Sequence, residues 1–65
     1  EKSINLNTAK LEELVNLPGI GTKTAQKIIE YREQHKRFRN INELLKVKGI
    51  GDSKFAKIKE YIFID

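Results

Sequence analysis

The sequence predicts an all-α domain. Two helix–corner–helix units pack about a pseudo-two-fold axis, giving four to five short helices. The first observation behind this is a repeat: shifted by 30 residues, "LEELVNLPGIGTKTAQKIIEY" (11–31) falls on "INELLKVKGIGDSKFAKIKEY" (41–61) with nine identities in 21 positions. The second is that apolar residues recur at helical spacing on both sides of each Gly-x-Gly corner. The third is that β-branched residues are too scattered for period-2 alternation, so no sheet is expected.

Each element follows from its residues. "SINLN" (3–7) reads as an extended arm, with Ile4 and Leu6 dropping onto the core. Leu11, Leu14 and Val15 fall on one helix face, with Asn7 or Thr8 as the N-cap. Residues 22–34 carry Ala25, Ile28, Ile29 and Arg32 on one stripe, and the basic run "HKRFR" suits a helix C-terminus. Ile41, Leu44 and Leu45 repeat the first pattern behind Asn40 as cap, and Phe55, Ile58 and Ile62 close the chain. The single domain, 1–65, thus divides into a first motif at 8–34, a connector at 35–40 and a second motif at 41–62. Neither motif buries its apolar face alone. The expected shared core is Leu11, Leu14, Val15, Leu17, Ile20, Ala25, Ile28, Ile29, Phe38, Ile41, Leu44, Leu45, Val47, Ile50, Phe55, Ile58 and Ile62.

The corners carry the chemistry. A lone Gly-x-Gly between helices serves as a C-cap and turn. Two copies at fixed spacing, each followed by Lys, Thr or Ser and a helix, point to phosphate. A helix start leaves N–H groups unpaired and carries partial positive charge. Glycine at 19 and 21 would allow positive φ and close approach of an anion. Ile20 would pin the corner to the core, and Pro18 would stiffen the entry. Gly19, Ile20, Gly21, Thr22, Lys23, Thr24 and Lys27 form the first candidate site; Lys48, Gly49, Ile50, Gly51, Ser53, Lys54 and Lys57 form the second. Lysines without a nearby cluster of Arg, Asn and Gln argue for phosphate contact rather than base readout. Asp52, expected as an N-cap, should weaken or tilt the second site. Tyr31 and Tyr61 are expected as partly buried packing residues. A P-loop is excluded because Thr22 separates Gly21 from Lys23 and a helix precedes the corner. The dinucleotide fingerprint fails at its third glycine.

Bulk properties set the bounds. A domain of 65 residues has a thin core, and with no cysteine and one histidine, His35, no metal or disulfide staples it. Thirteen basic against nine acidic residues give +4 and a pI near 9.5, which suits a polyanion or simply a solvated surface. The longest strongly apolar run, "YIFI" (61–64), is far short of a membrane span, and "EKSINLN" is no signal peptide. No membrane contact by these residues and no cofactor are expected, although a monovalent cation bridging hairpin and phosphate is left open. A monomer is favoured.

The corners "LPGIG" and "VKGIG" resemble the helix-hairpin-helix motif, and their doubling resembles the tandem helix-hairpin-helix domain. "INLNTAKLEELVNLPGIGTKTAQKIIEYRE" followed by "FRNINELLKVKGIG" is similar to the C-terminal DNA-binding domains of ComEA-type bacterial competence proteins. The resemblance covers residues 4–62, and "INLNTA" is its most specific part. It implies sequence-independent binding of double-stranded DNA across the minor groove, through backbone amides to phosphates, by a receptor for DNA uptake in transformation. It also implies an extracytoplasmic, membrane-anchored full-length protein; a repair module would instead be cytoplasmic. The family often carries Pro or Ala where Thr22 stands, and Gly-Pro-Phe where this chain has Lys36, Arg37 and Phe38. The competing reading is a protein-interaction or repair scaffold. Catalysis is not expected: base chemistry needs a pocket for an extruded nucleotide, and no catalytic constellation stands out.

Overall fold

A computed structural model describes residues 4–65 and shows how the repeat folds. In chain order the elements are β1 (Ile4–Asn5), α1 (Leu11–Leu14), α2 (Thr22–Gln34), a 3₁₀ helix (Ile41–Lys46), α3 (Asp52–Ile58) and β2 (Ile62–Phe63). The four helices are those the apolar spacing requires. The second short helix takes i→i+3 bonding, which differs little from α-bonding over one or two turns.

Glutamates, rather than the expected Asn and Thr side chains, fix the starts of the two short helices. Helix α1 has Lys10 as its N-cap, and the Lys10 N–H donates to Glu13 Oε1 at 2.8 Å. Asn7 is occupied elsewhere. Its Oδ1 accepts from the Phe38 N–H at 2.6 Å, and its Nδ2 donates to the Phe38 carbonyl at 3.0 Å. Phe38 is fully buried, so its backbone groups need partners other than water, and an amide side chain satisfies both at once. Asn40 does stand at the N-cap of the 3₁₀ helix, but its side chain makes no capping bond. There Glu43 accepts from the Arg39 N–H at 2.9 Å and from the Tyr31 hydroxyl at 3.0 Å.

Helix α2 stops at Gln34, just before "HKRFR" begins. His35 is its C-cap and lays its ring on Tyr31, centroids 4.0 Å apart. Lys36 follows at φ 74°, the left-handed conformation that usually falls to glycine just past a helix.

The expectation of no sheet is corrected. β1 and β2 pair in parallel, Ile4 opposite Ile62 and Asn5 opposite Phe63. The Ile4 N–H donates to the Tyr61 carbonyl at 3.0 Å and the Leu6 N–H to the Phe63 carbonyl at 2.9 Å. Helix α3 therefore ends at Ile58, and Ile62 reaches the core from a strand rather than from the expected helix. Arg32, its counterpart in the first repeat, serves the same N-terminal segment by other means. It donates from Nη1 to the Leu6 and Ala9 carbonyls at 2.8 and 2.9 Å. Of the "SINLN" arm, Ser3 lies outside the described residues; Ile4 and Leu6 pack as expected, Leu6 fully buried, but the chain is extended only over Ile4–Asn5 and turns from Leu6.

The core joins both motifs: Leu14, Leu17, Ile20, Ala25 and Ile28 from the first meet Leu44, Val47, Ile50 and Ile58 from the second, around Phe38. Leu11, Val15, Ile29, Ile41 and Phe55 pack against it half-buried. Two expectations fail. Leu45 is 40% exposed, because the tighter 3₁₀ turn rotates it away from the face that Leu44 occupies, and Tyr61 is 42% exposed. Ala9, absent from the expected core, is buried.

Candidate nucleic-acid interface

Each corner is a four-residue turn set on a helix start. The Ile20 N–H donates to the Leu17 carbonyl at 3.1 Å, and the Ile50 N–H to the Val47 carbonyl at 3.1 Å. Pro18 occupies the second position of its turn and Gly19, at φ 75°, the third; Lys48 and Gly49, at φ 100°, do the same in the other. That is a type II arrangement, which demands positive φ at its third residue. The turn also uses up the Ile20 and Ile50 amides, while their side chains lie in the core. These two residues hold the corners in shape.

The second glycine of each corner works differently from the first. Gly21 and Gly51 have φ of −95° and −103°, so positive φ is not their reason for being glycine, contrary to expectation for Gly21. Both are helix N-caps, exposed, with open space where a Cβ would stand. In α2 the first helical bond runs from the Ala25 N–H to the Gly21 carbonyl, so the amides of Thr22, Lys23 and Thr24 precede the ladder and face the corner. Thr22 and Lys23 are exposed and Thr24 half-buried. In the second corner Asp52 is the first helical residue, not the N-cap, and makes no capping bond; Ser53 and Lys57 are exposed and Lys54 half-buried.

The two corners lie against each other, and their contacts are reciprocal. A methyl built on Gly19 would meet Lys54 Cε at 3.5 Å, and one built on Gly49 would meet Thr24 Oγ1 at 3.3 Å. Thr24 and Lys54 are repeat equivalents, so each motif lays the same position of its long helix over the other motif's glycine. Two clefts follow this symmetry. Pro18 and Gly19 face Gly51, Ser53, Lys54 and Lys57 across about 350 Å³. Lys46, Val47 and Lys48 face Lys27, Glu30, Tyr31 and Gln34 across about 190 Å³. A third concavity, about 570 Å³, is lined by Ile4, Glu13, Asn16, Leu17, Pro18 and Tyr61. Among the described residues lining it there is no lysine or arginine.

The pattern of paired turns is that of a known family, and the chain matches the helix-hairpin-helix motif family over residues 1–63. The chain belongs to the helix-hairpin-helix family. It is 48% identical to "ComE operon protein 1" of Bacillus subtilis over 61 residues, which is 94% of this chain and 30% of that protein. An uncharacterised protein of Haemophilus influenzae is 43% identical over 60 residues, covering 91% of this chain and 54% of its own length. The "Endonuclease/exonuclease/phosphatase family domain-containing protein 1" of Homo sapiens is 39% identical over 59 residues, 91% of this chain but only 10% of that protein. The chain thus spans about half or less of these relatives.

Within this helix-hairpin-helix pair, Gly19 is brought beside Ser53, Lys54 and Lys57 of the second motif, Gly21, Thr22 and Lys23 stand exposed at the start of α2, and Thr24 lies over Gly49. Lys27 lies farther along α2, against the second hairpin's entry with Lys48. Lys46 lines that same cleft and escaped the sequence reading. The repeat pairs it with Asn16, so no doubled charge marks it in the sequence. Glu43 is held below the ordinary carboxylate range, first by the Arg39 N–H and also by the Tyr31 hydroxyl. Tyr31 is pushed upward, mainly by desolvation and then by its bond to Glu43. This pair ties α2 to the 3₁₀ helix and fixes one wall of the cleft. Among the described residues no helix is long and apolar enough to cross a membrane.

Proposed function

We propose that this domain binds double-stranded DNA without sequence preference, its two hairpins contacting backbone phosphates across the minor groove, and that it serves DNA uptake in bacterial competence. The observation that carries the reading is the reciprocal packing of the two hairpins, Lys54 over Gly19 and Thr24 over Gly49, with lysines bordering both clefts. The similarity to a protein named for a competence operon supports the biological setting. The domain's role is binding rather than catalysis; where relatives carry a nuclease-family name, the shared region is about a tenth of their length. Side chains at the hairpins offer charge and hydroxyls rather than a base-reading set, which favours phosphate over sequence.

Duplex titration at several salt concentrations tests this. A Kd of about 10⁻⁴ to 10⁻⁶ M is expected at physiological salt, and about four phosphate contacts give a log–log slope near −3.6. A salt-insensitive affinity would defeat the phosphate mechanism. Thr22→Glu with Lys23→Glu leaves the core untouched and should abolish binding. If that variant binds DNA unchanged, the scaffold reading takes over.

A further inference from the structure

The lysines that the repeat preserves each reach a hairpin of the other motif. Lys57, on α3, borders the cleft whose far wall is Pro18 and Gly19 of the first hairpin. Lys27, its equivalent on α2, borders the cleft whose far wall is Lys46, Val47 and Lys48 of the second. The glycine contacts run the same way, Lys54 over Gly19 and Thr24 over Gly49. Building on the DNA-binding reading above, we propose that the phosphate grips are exchanged between the motifs. The phosphate at the first hairpin is neutralised by Lys54 and Lys57 of the second motif, and the phosphate at the second hairpin by Lys27 of the first.

Physical reasons favour the exchange. A lysine stem lies along apolar surface while its ammonium reaches water, and the half-buried Lys54 packs its methylenes on Gly19, where no side chain obstructs them. The exchange also makes the two grips unequal. The first receives two lysines from across the axis. At the second, Thr24 stands where the first has Lys54, and its charge comes from Lys27 with the local Lys46 and Lys48.

The test is a titration with a short mixed-sequence duplex, followed by backbone amide shifts at saturating DNA. Lys57→Gln should shrink the limiting shift of Gly19 several-fold and spare that of Gly49; Gly51, which shares the Lys57 cleft, is not a readout. Lys27→Gln should do the reverse. Each should lower the salt slope by about 0.9, and Lys57→Arg should restore both readouts. The free variants should keep the wild-type amide spectrum away from the substituted residue, since both lysines are exposed. Loss at the substituted lysine's own hairpin, or equal loss at both, overturns the exchange and leaves DNA binding standing. A wild-type protein with no saturable shift at either hairpin overturns the DNA reading and the exchange with it.

Discussion

The two glycines of one hairpin have different duties, and substitution separates them. Gly19 sits at φ 75° because the third position of its turn requires it, so Gly19→Ala should cost about 1–2 kcal/mol of stability. Gly49→Ala should cost more, since its Cβ would also press on Thr24 Oγ1 at 3.3 Å. Gly21 has ordinary φ and empty space around it, so Gly21→Ala should cost only about 0.5 kcal/mol, the N-cap preference, while obstructing the phosphate and weakening DNA binding several-fold. Chemical denaturation beside a DNA titration distinguishes the two classes; if Gly19→Ala and Gly21→Ala behave alike, the division of labour is wrong. Lys36 carries the opposite opportunity. It holds φ 74° with a side chain, where the resemblance implies a glycine. Lys36→Gly should therefore raise stability by about 0.5–1 kcal/mol, the left-handed penalty less the entropy of glycine. A domain of this size converts 1 kcal/mol into about 4–8 °C of melting temperature, so the gain is measurable by circular dichroism.

At the level of elements, the connector and the short helices depend on two polar clamps. Asn7 satisfies both backbone groups of the buried Phe38, and Asn7→Ala should cost about 1–3 kcal/mol, read by urea denaturation. Glu43 clamps Arg39 and Tyr31, and the Arg39 N–H and Tyr31 hydroxyl hold its carboxyl below the ordinary carboxylate range in the fold. A depressed carboxyl contributes stability above its unfolded pKa and loses it as pH falls through the folded one. Stability should therefore decline as pH falls below the ordinary carboxylate range, and Glu43→Gln should flatten that part of the acid profile. An unchanged acid profile in the variant would remove Glu43 from the account. Helix α2 was legible to its ends because thirteen residues of regular spacing leave little choice. The strand pair was not, since two residues give no period and their partner lies at the far end of the chain. The signal present was "IFI", a β-branched and aromatic run that favours a strand. Its helical i, i+7 spacing from Phe55 to Ile62 concealed it.

Taken whole, the molecule is a duplicated device with unequal halves. Ile20 and Ile50, Gly19 and Gly49, and Lys27 and Lys57 keep symmetric places, and the repeat made both hairpins readable from sequence. What no repeat reveals is which helix faces which hairpin: that depends on the sense of packing between motifs, a long-range fact absent from local pattern. The asymmetry lies in charge, with Asp52 standing where the first motif has Thr22. Asp52→Asn should tighten DNA binding about five-fold, from about 1 kcal/mol of repulsion removed near the phosphate. It should also cost α3 about 0.3–1 kcal/mol, because a carboxylate in the first turn favours the helix dipole. Affinity unchanged by that substitution would mean that the second hairpin stays clear of the backbone.

The parallel pairing of Ile4–Asn5 with Ile62–Phe63 has a mechanical consequence. Chain leading into the domain departs from one end of this two-strand joint, and chain leading out departs from the other. Tension pulling the two flanks apart therefore slides the strands past each other, so the bonds from Ile4 to Tyr61 and from Leu6 to Phe63 carry the load together. An antiparallel joint pulled open at one end would surrender them one at a time. With Ile62 wedged fully in the core behind them, the domain should withstand more force when stretched between its ends than its small size suggests.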